Sequence, residues 1–154
     1  MKKAVTTIAM SAALGLSGVT AAAQAEPSYE QQVIALTNEQ RTAQGCGGLA
    51  ENGALRTAAR GHSADMAAND QMSHQGTNGS DPGDRITQAG YAAEKWAENV
   101  AFGQPSPREV VDAWMRSADH RANILDCGLA EIGVGHVVND EGVAYWTQDF
   151  GTRG

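Results

Sequence analysis

The residues able to do chemistry are four histidines, His62, His74, His120 and His136, two cysteines, and a few acids in unusual surroundings. His62 lies on an apolar stripe with Leu55, Ala58, Ala59 and Met66. It reads as a core histidine bonded to a backbone carbonyl or a buried polar side chain, with Asp65 three residues on to orient the ring. His74 differs, because it sits in the loop Met72-Ser73-His74-Gln75-Gly76, where burial does not account for it. Glu98 is an acid inside a mostly apolar run, and His120 follows the segment around Trp114. If His74, Glu98 and His120 converge, they can bind a divalent metal or do acid–base work. A hydrogen-bonded cluster that only holds the fold together competes with that reading.

Cys46 and Cys127 each adjoin a glycine. In an exported chain an even pair is expected to close into one bridge, across about 80 residues. A catalytic Cys–His pair is the alternative. The chain has no His-Glu-x-x-His, Cys-x-x-Cys, Gly-x-Ser-x-Gly or phosphate-loop signature, which sets aside the common zincin, zinc-ribbon, α/β-hydrolase and NTPase classes. Asn78-Gly79-Ser80 matches a glycosylation acceptor, a pattern short enough to arise by chance.

Elements must position these groups. Ser28 with Gln31 forms a capping-box pattern ahead of Val33, Ile34 and Leu36, and Gly45 is a plausible stop. A second helix is predicted over about residues 52–69 and a short third one from Asp81, with Pro82 at its first position. Ser106-Pro107-Arg108-Glu109 opens another, whose inner face is Val110, Val111, Trp114 and Met115. Helical pattern resumes over residues 119–125. Alternation then takes over at Ile132, Val134, His136 and Val138, and Asn139-Asp140-Glu141-Gly142 turns the chain into a return strand over 143–150. Residues 96–102 suggest a further strand. Helices followed by strands predict an α+β domain with an antiparallel sheet.

The chain has 154 residues and a formal charge of −7. That length suits one domain, and the acidic balance argues against nucleic acid as a partner. Apolar residues make up 42%, enough for a core. Lys2 and Lys3 precede an uncharged run over residues 4–23, and Ala23-Gln24-Ala25 supplies the small residues a signal peptidase needs. A signal peptide over 1–25 is therefore expected, with a mature domain over 26–154, secreted to the periplasm or medium, without a membrane span. A monomer is the default for such a domain.

Over residues 33–151 the ordered pieces resemble the bacterial branch of the CAP superfamily. This comprises cysteine-rich secretory proteins, antigen 5 and pathogenesis-related 1, also called SCP-like domains. The pieces are His62-Ser63-Ala64-Asp65-Met66-Ala67, Ser73-His74-Gln75-Gly76, Glu98-Asn99-Val100-Ala101, Trp114-Met115-Arg116-Ser117, His120-Arg121-Ala122-Asn123-Ile124-Leu125, Glu131-Ile132-Gly133-Val134-Gly135 and Tyr145-Trp146-Thr147-Gln148-Asp149-Phe150-Gly151. The resemblance implies a three-layer α-β-α sandwich around a small antiparallel sheet, and a polar cleft that in the family holds two histidines and two acids and can bind zinc. His74 and Glu98 match the first histidine and the acid of the Gly-Glu-Asn motif, although Ala97 replaces its glycine. Tyr145 stands where animal and plant members have the second histidine, and Ser117 where the second acid is expected. His120 is expected to take up that space. The implied cleft set is thus His74, Glu98, His120 and Tyr145, with His74 and His120 as possible zinc ligands and no cofactor required.

The function implied is binding of a lipid, cell-envelope component or metal by a secreted protein, without catalysis. A metal-assisted hydrolase of peptide or cell-wall bonds is the first alternative, and a structural envelope or adhesion module the second. Fold alone does not choose between them.

Overall fold

The computed structural model describes residues 25–154. The expected signal peptide lies outside the described residues except for Ala25. The elements in order are α1 (Tyr29–Ala43), β1 (Ala50–Glu51), α2 (Gly53–Ala68), α3 (Pro82–Gln88), β2 (Lys95–Phe102), α4 (Pro107–Arg116), α5 (Ala118–Ile124), β3 (Glu131–Val138) and β4 (Ala144–Thr152).

Local chemistry starts most of these helices. Ser28 Oγ accepts from Gln31 N while Gln31 Oε1 accepts from Ser28 N, a closed capping box. Asp81 and Asp84 exchange the same pair of bonds at α3, where Pro82 occupies the first turn. Asn52 Oδ1 accepts from Ala54 N and Leu55 N at α2, and Ser106 Oγ accepts from Glu109 N at α4. Each such cap satisfies donors that a helix start leaves without partners.

The sheet runs β1-β3-β4-β2. Its long pairs are antiparallel, as expected; the two-residue β1 adds to β3 in parallel, a pairing too short for any period to announce. α2 covers one face. On the other face α1, α4 and α5 enclose the main core of Val33, Val110, Val111, Trp114, Ile124, Ile132, Val134, Trp146 and Phe150. The result is the three-layer α-β-α sandwich. β4 is central and buried on both faces from Ala144 to Gly151.

Gly133 and Gly135 face α2. A side-chain carbon at either position would collide with helix backbone, at Leu55 and Arg56 or at Ala59 and Arg60. These two glycines let the helix lie directly on β3, and they set the depth at which its inner residues sit.

Cys46 and Cys127 are joined in a disulfide with Cα atoms 5.0 Å apart. Beside it the buried Arg41 guanidinium donates to the carbonyls of Gly47, Ile124, Asp126 and Leu129 at 2.8–2.9 Å. One side chain of α1 thus collects the loop between α5 and β3. Because that loop is held twice, the Cys46→Ser, Cys127→Ser double variant is expected to stay folded. Its stability should drop by about 2–4 kcal/mol, read from urea unfolding with and without reductant.

Candidate functional site

Glu98 is the centre of a polar cluster on the α2 side of the sheet. β2 carries it inward, where its side chain is 1% exposed. Its Oε1 accepts from His74 Nδ1 at 2.8 Å and its Oε2 from Arg85 Nη2 at 2.7 Å. His74 comes from the loop after α2, Arg85 from α3. Arg85 also donates to the carbonyls of Ser80 and His74, so it ties the loop to the carboxylate. Burial alone would raise the Glu98 carboxyl. The His74 hydrogen bond and the Arg85 charge outweigh it and hold the group below its ordinary value.

His74 is the open end of this cluster, with a side chain 54% exposed. The Glu98 carboxylate can only accept, so His74 Nδ1 carries the proton. In the neutral ring Nε2 is then an acceptor. His62 is the closed end. Its Nε2 donates to the Ser73 carbonyl at 2.6 Å and lies 4.0 Å from Glu98 Oε1, and burial lowers its proton affinity. The expected backbone bond is there, but Asp65 does not orient the ring. Asp65 instead accepts from Thr77 N at 2.9 Å and Thr77 Oγ1 at 2.6 Å, and fastens the far side of the same loop.

His120 lies in the first turn of α5. Its proton affinity is lowered first by burial and then by the nearby charge of His74. α5 is pinned to the sheet by amides. Asn123 Nδ2 donates to Asn99 Oδ1, Asn99 Nδ2 to Gln148 Oε1, and Gln148 Nε2 to Thr37 Oγ1. The His120 carbonyl accepts from Asn99 Nδ2, next to Glu98 on β2.

Tyr145 does not join the polar cluster. It lies four residues from Asp149 along β4, roughly 13 Å at the rise of a strand. There it is 3% exposed, packs with Met66, Ala67 and Val100, and stacks on Phe102 at 5.9 Å between ring centroids. The position is an apolar one here.

The residues do not fit a divalent metal. Among the described residues no three His, Cys, Asp or Glu side chains form a set able to hold one. The physical reason is Arg85, a cation already in contact with Glu98, while His74 Nδ1 is spent on the other oxygen. The expectation of zinc at His74 and His120 thus lacks a carboxylate ligand.

Two members escape sequence reasoning. Arg85 stands in a short helix with no motif around it. Asp149 is visible only as an acid in a strand otherwise fit for burial. Directly opposite Glu98 in the β2–β4 register, it is 0% exposed.

The family model for the cysteine-rich secretory protein family matches residues 34–150. The uncharacterized protein YkwD of Bacillus subtilis is 39% identical over 131 residues, which is 85% of this chain and 50% of YkwD. The uncharacterized membrane protein YlbC of the same organism is 30% identical over 81% of this chain and 35% of its own. The chain thus spans half or less of the curated relatives it matches. Among solved structures, an extracellular SCP-domain protein of Bacillus anthracis superposes with a TM-score of 0.75 at 30% identity, over 81% of this chain and 40% of that one. An outer surface protein of Borrelia burgdorferi shares the fold with a TM-score of 0.74 at 20% identity, over 79% and 90%. These two neighbours are extracellular or surface proteins, and among the described residues no helix is long and apolar enough to cross a membrane. With three-quarters of its length matched and the sandwich in place, the chain belongs to the cysteine-rich secretory protein (CAP) family.

Proposed function

We propose that the protein is exported, and that its polar cluster at His74, Glu98 and His120 binds a polar component of the cell envelope without transforming it. The observation that carries this reading is the His74–Glu98 pair. A buried carboxylate holds Nδ1 of a half-exposed imidazole, so Nε2 is offered outward as an acceptor. Such a group suits a ligand with hydroxyl or amide donors, as in saccharide and peptide fragments of an envelope. The leader-like first 25 residues, the disulfide and the extracellular relatives support export.

An acyl chain finds less support. The groove between the end of α2 and the β3–β4 turn, about 520 Å³, is rimmed by Asp70, Asp140 and Glu141 and lies away from the cluster.

Thermal-shift titration with peptidoglycan fragments, a lipid extract and divalent metals tests the proposal. Peptidoglycan fragments at a hundredfold excess over Kd should stabilise the wild type by about 2.7 kcal/mol, and His74→Ala should abolish the shift. An equal shift in both proteins would refute a His74-dependent site.

The same pair supports a second reading. An imidazole oriented by a carboxylate is a general base, so a metal-independent hydrolase of envelope bonds is chemically consistent with it. Steady release of cleaved product by the wild type, lost in Glu98→Gln, would select it over simple binding.

A further inference from the structure

We propose that Asp149 is a carboxylic acid in the folded protein, and that it positions Glu98 by donating its proton to it. The cross-strand pair then carries a single negative charge, which faces His74 and Arg85. This goes beyond the binding reading and does not depend on it.

Glu98 on β2 and Asp149 on β4 are direct antiparallel partners, so their side chains leave the sheet on the same face. The third strand offers only Gly133 at this level, with no side chain to intervene. α2 closes the space above, because Gly133 lets its backbone lie against the sheet. Asp149 is 0% exposed, and among the described residues no N–H or O–H donor reaches either of its oxygens.

Arg85 is the cation beside the pair and His74 the neighbouring ring donor; neither bonds Asp149, and Arg85 Nε, buried without a partner, does not reach it either. The hydrogen bonds of Arg85 and His74 go to Glu98 Oε2 and Oε1. An ionised Asp149 would therefore be a buried anion without donors, beside a second anion. A proton removes both penalties at once. It belongs on Asp149, since Glu98 is the carboxyl whose charge is matched.

The groups around the pair agree. On β2 the charge of Glu98 disfavours a second charge at Asp149. On α3 Arg85 favours it, and is outweighed by burial and by Glu98. On α2 His62 has its proton on the nitrogen facing Ser73, and burial keeps the ring neutral. His74 from the loop is directed at Glu98. The net effect is an Asp149 carboxyl raised well above its ordinary value.

The role given to Asp149 is thus to hold Glu98 through a bond that adds no charge. Glu98 keeps one carboxylate's worth of charge for His74. Asparagine at 149 preserves a donor and the zero charge. Valine preserves shape and removes the donor.

NMR on the full chain decides this. In wild type the Asp149 carboxyl carbon should show the shift of a protonated acid at pH 7, and the shift of an ionised carboxylate there would overturn the proposal. The His74 imidazole gives the second readout. Its titration midpoint should be unchanged in Asp149→Asn and should rise in Asp149→Val, where Glu98 loses its donor. A midpoint that falls by about one unit or more in Asp149→Asn would mean that a negative charge had been removed, and the proposal would fail. The wild-type measurement stands even if the valine variant does not fold.

Discussion

Gly133→Ala is expected to leave the chain unfolded or only partly folded at room temperature, and Gly135→Ala likewise. Added carbons in a packed core usually cost about 1–3 kcal/mol, because a neighbouring side chain can rotate or shift. Here the obstacle is the backbone of α2 itself. A helix backbone has no rotamer to change, so all of α2 would have to lift away from β3. That would open the inner face formed by Leu55, Ala59, His62, Ser63 and Met66, and would cut the Ser63 hydroxyl bonds to Gly135 O and Thr147 Oγ1. A loss of about 4 kcal/mol or more is expected, a large share of the stability of a domain this size. Circular dichroism and urea unfolding would measure it. Gly61→Ala is the control. It lies inside the same helix with open space at its Cβ, and should stabilise by about 0.5–1 kcal/mol through helix propensity alone.

Arg41→Met should be the costliest change outside the glycines. Methionine fills much of the same volume, so little cavity results. What disappears is the donor set for four carbonyls, those of Gly47, Ile124, Asp126 and Leu129. Arg41 is 1% exposed, so water cannot take over without opening the loop. Burial lowers its proton affinity from the ordinary arginine value, yet a guanidinium stays charged at any pH the fold survives. Leaving a buried acceptor without a donor costs about 1–3 kcal/mol per group, and here four carbonyls lose theirs. The effect should therefore exceed that of the disulfide beside it. Arg41→Lys should recover only part of the loss, since one ammonium cannot reach carbonyls spread around a planar fork. Urea midpoints for wild type, Arg41→Met, Arg41→Lys and the double serine variant would rank them in that sense.

Much of the architecture is legible in the residues before any coordinates. Ser28–Gln31, Asp81-Pro82 and Ser106-Pro107 mark helix starts because capping is local chemistry, and all three start where expected. The Leu55–Met66 stripe shows burial on one side, which period detects; over 132–135 both faces are covered, and the alternation there is of bulky residues with the glycines that α2 lies on. β4 is harder, because both its faces are covered and alternation carries no information there. That is why Asp149 reads only as part of a motif string. An acid in such a strand is the available signal, for a buried acid needs either a donor or a proton. Arg85 and the parallel β1 depend on tertiary placement and leave no local trace. Tyr145 shows the limit of positional matching, since an aligned residue can keep its place on the strand and change the chemistry of its surroundings.

The amide and guanidinium links out of α1 have a consequence for how the chain folds. Thr37 is bonded to Gln148, 111 positions on, and Arg41 to carbonyls as far as 88 positions on. α1 precedes the other described elements in sequence but cannot satisfy its inner face until β4 has arrived. Contacts of such long separation slow folding, because loop closure must be met before they form. Fragments ending before β4 should lack a stable α1, and the domain should fold as a single cooperative step in which its first helix is among the last parts to be secured.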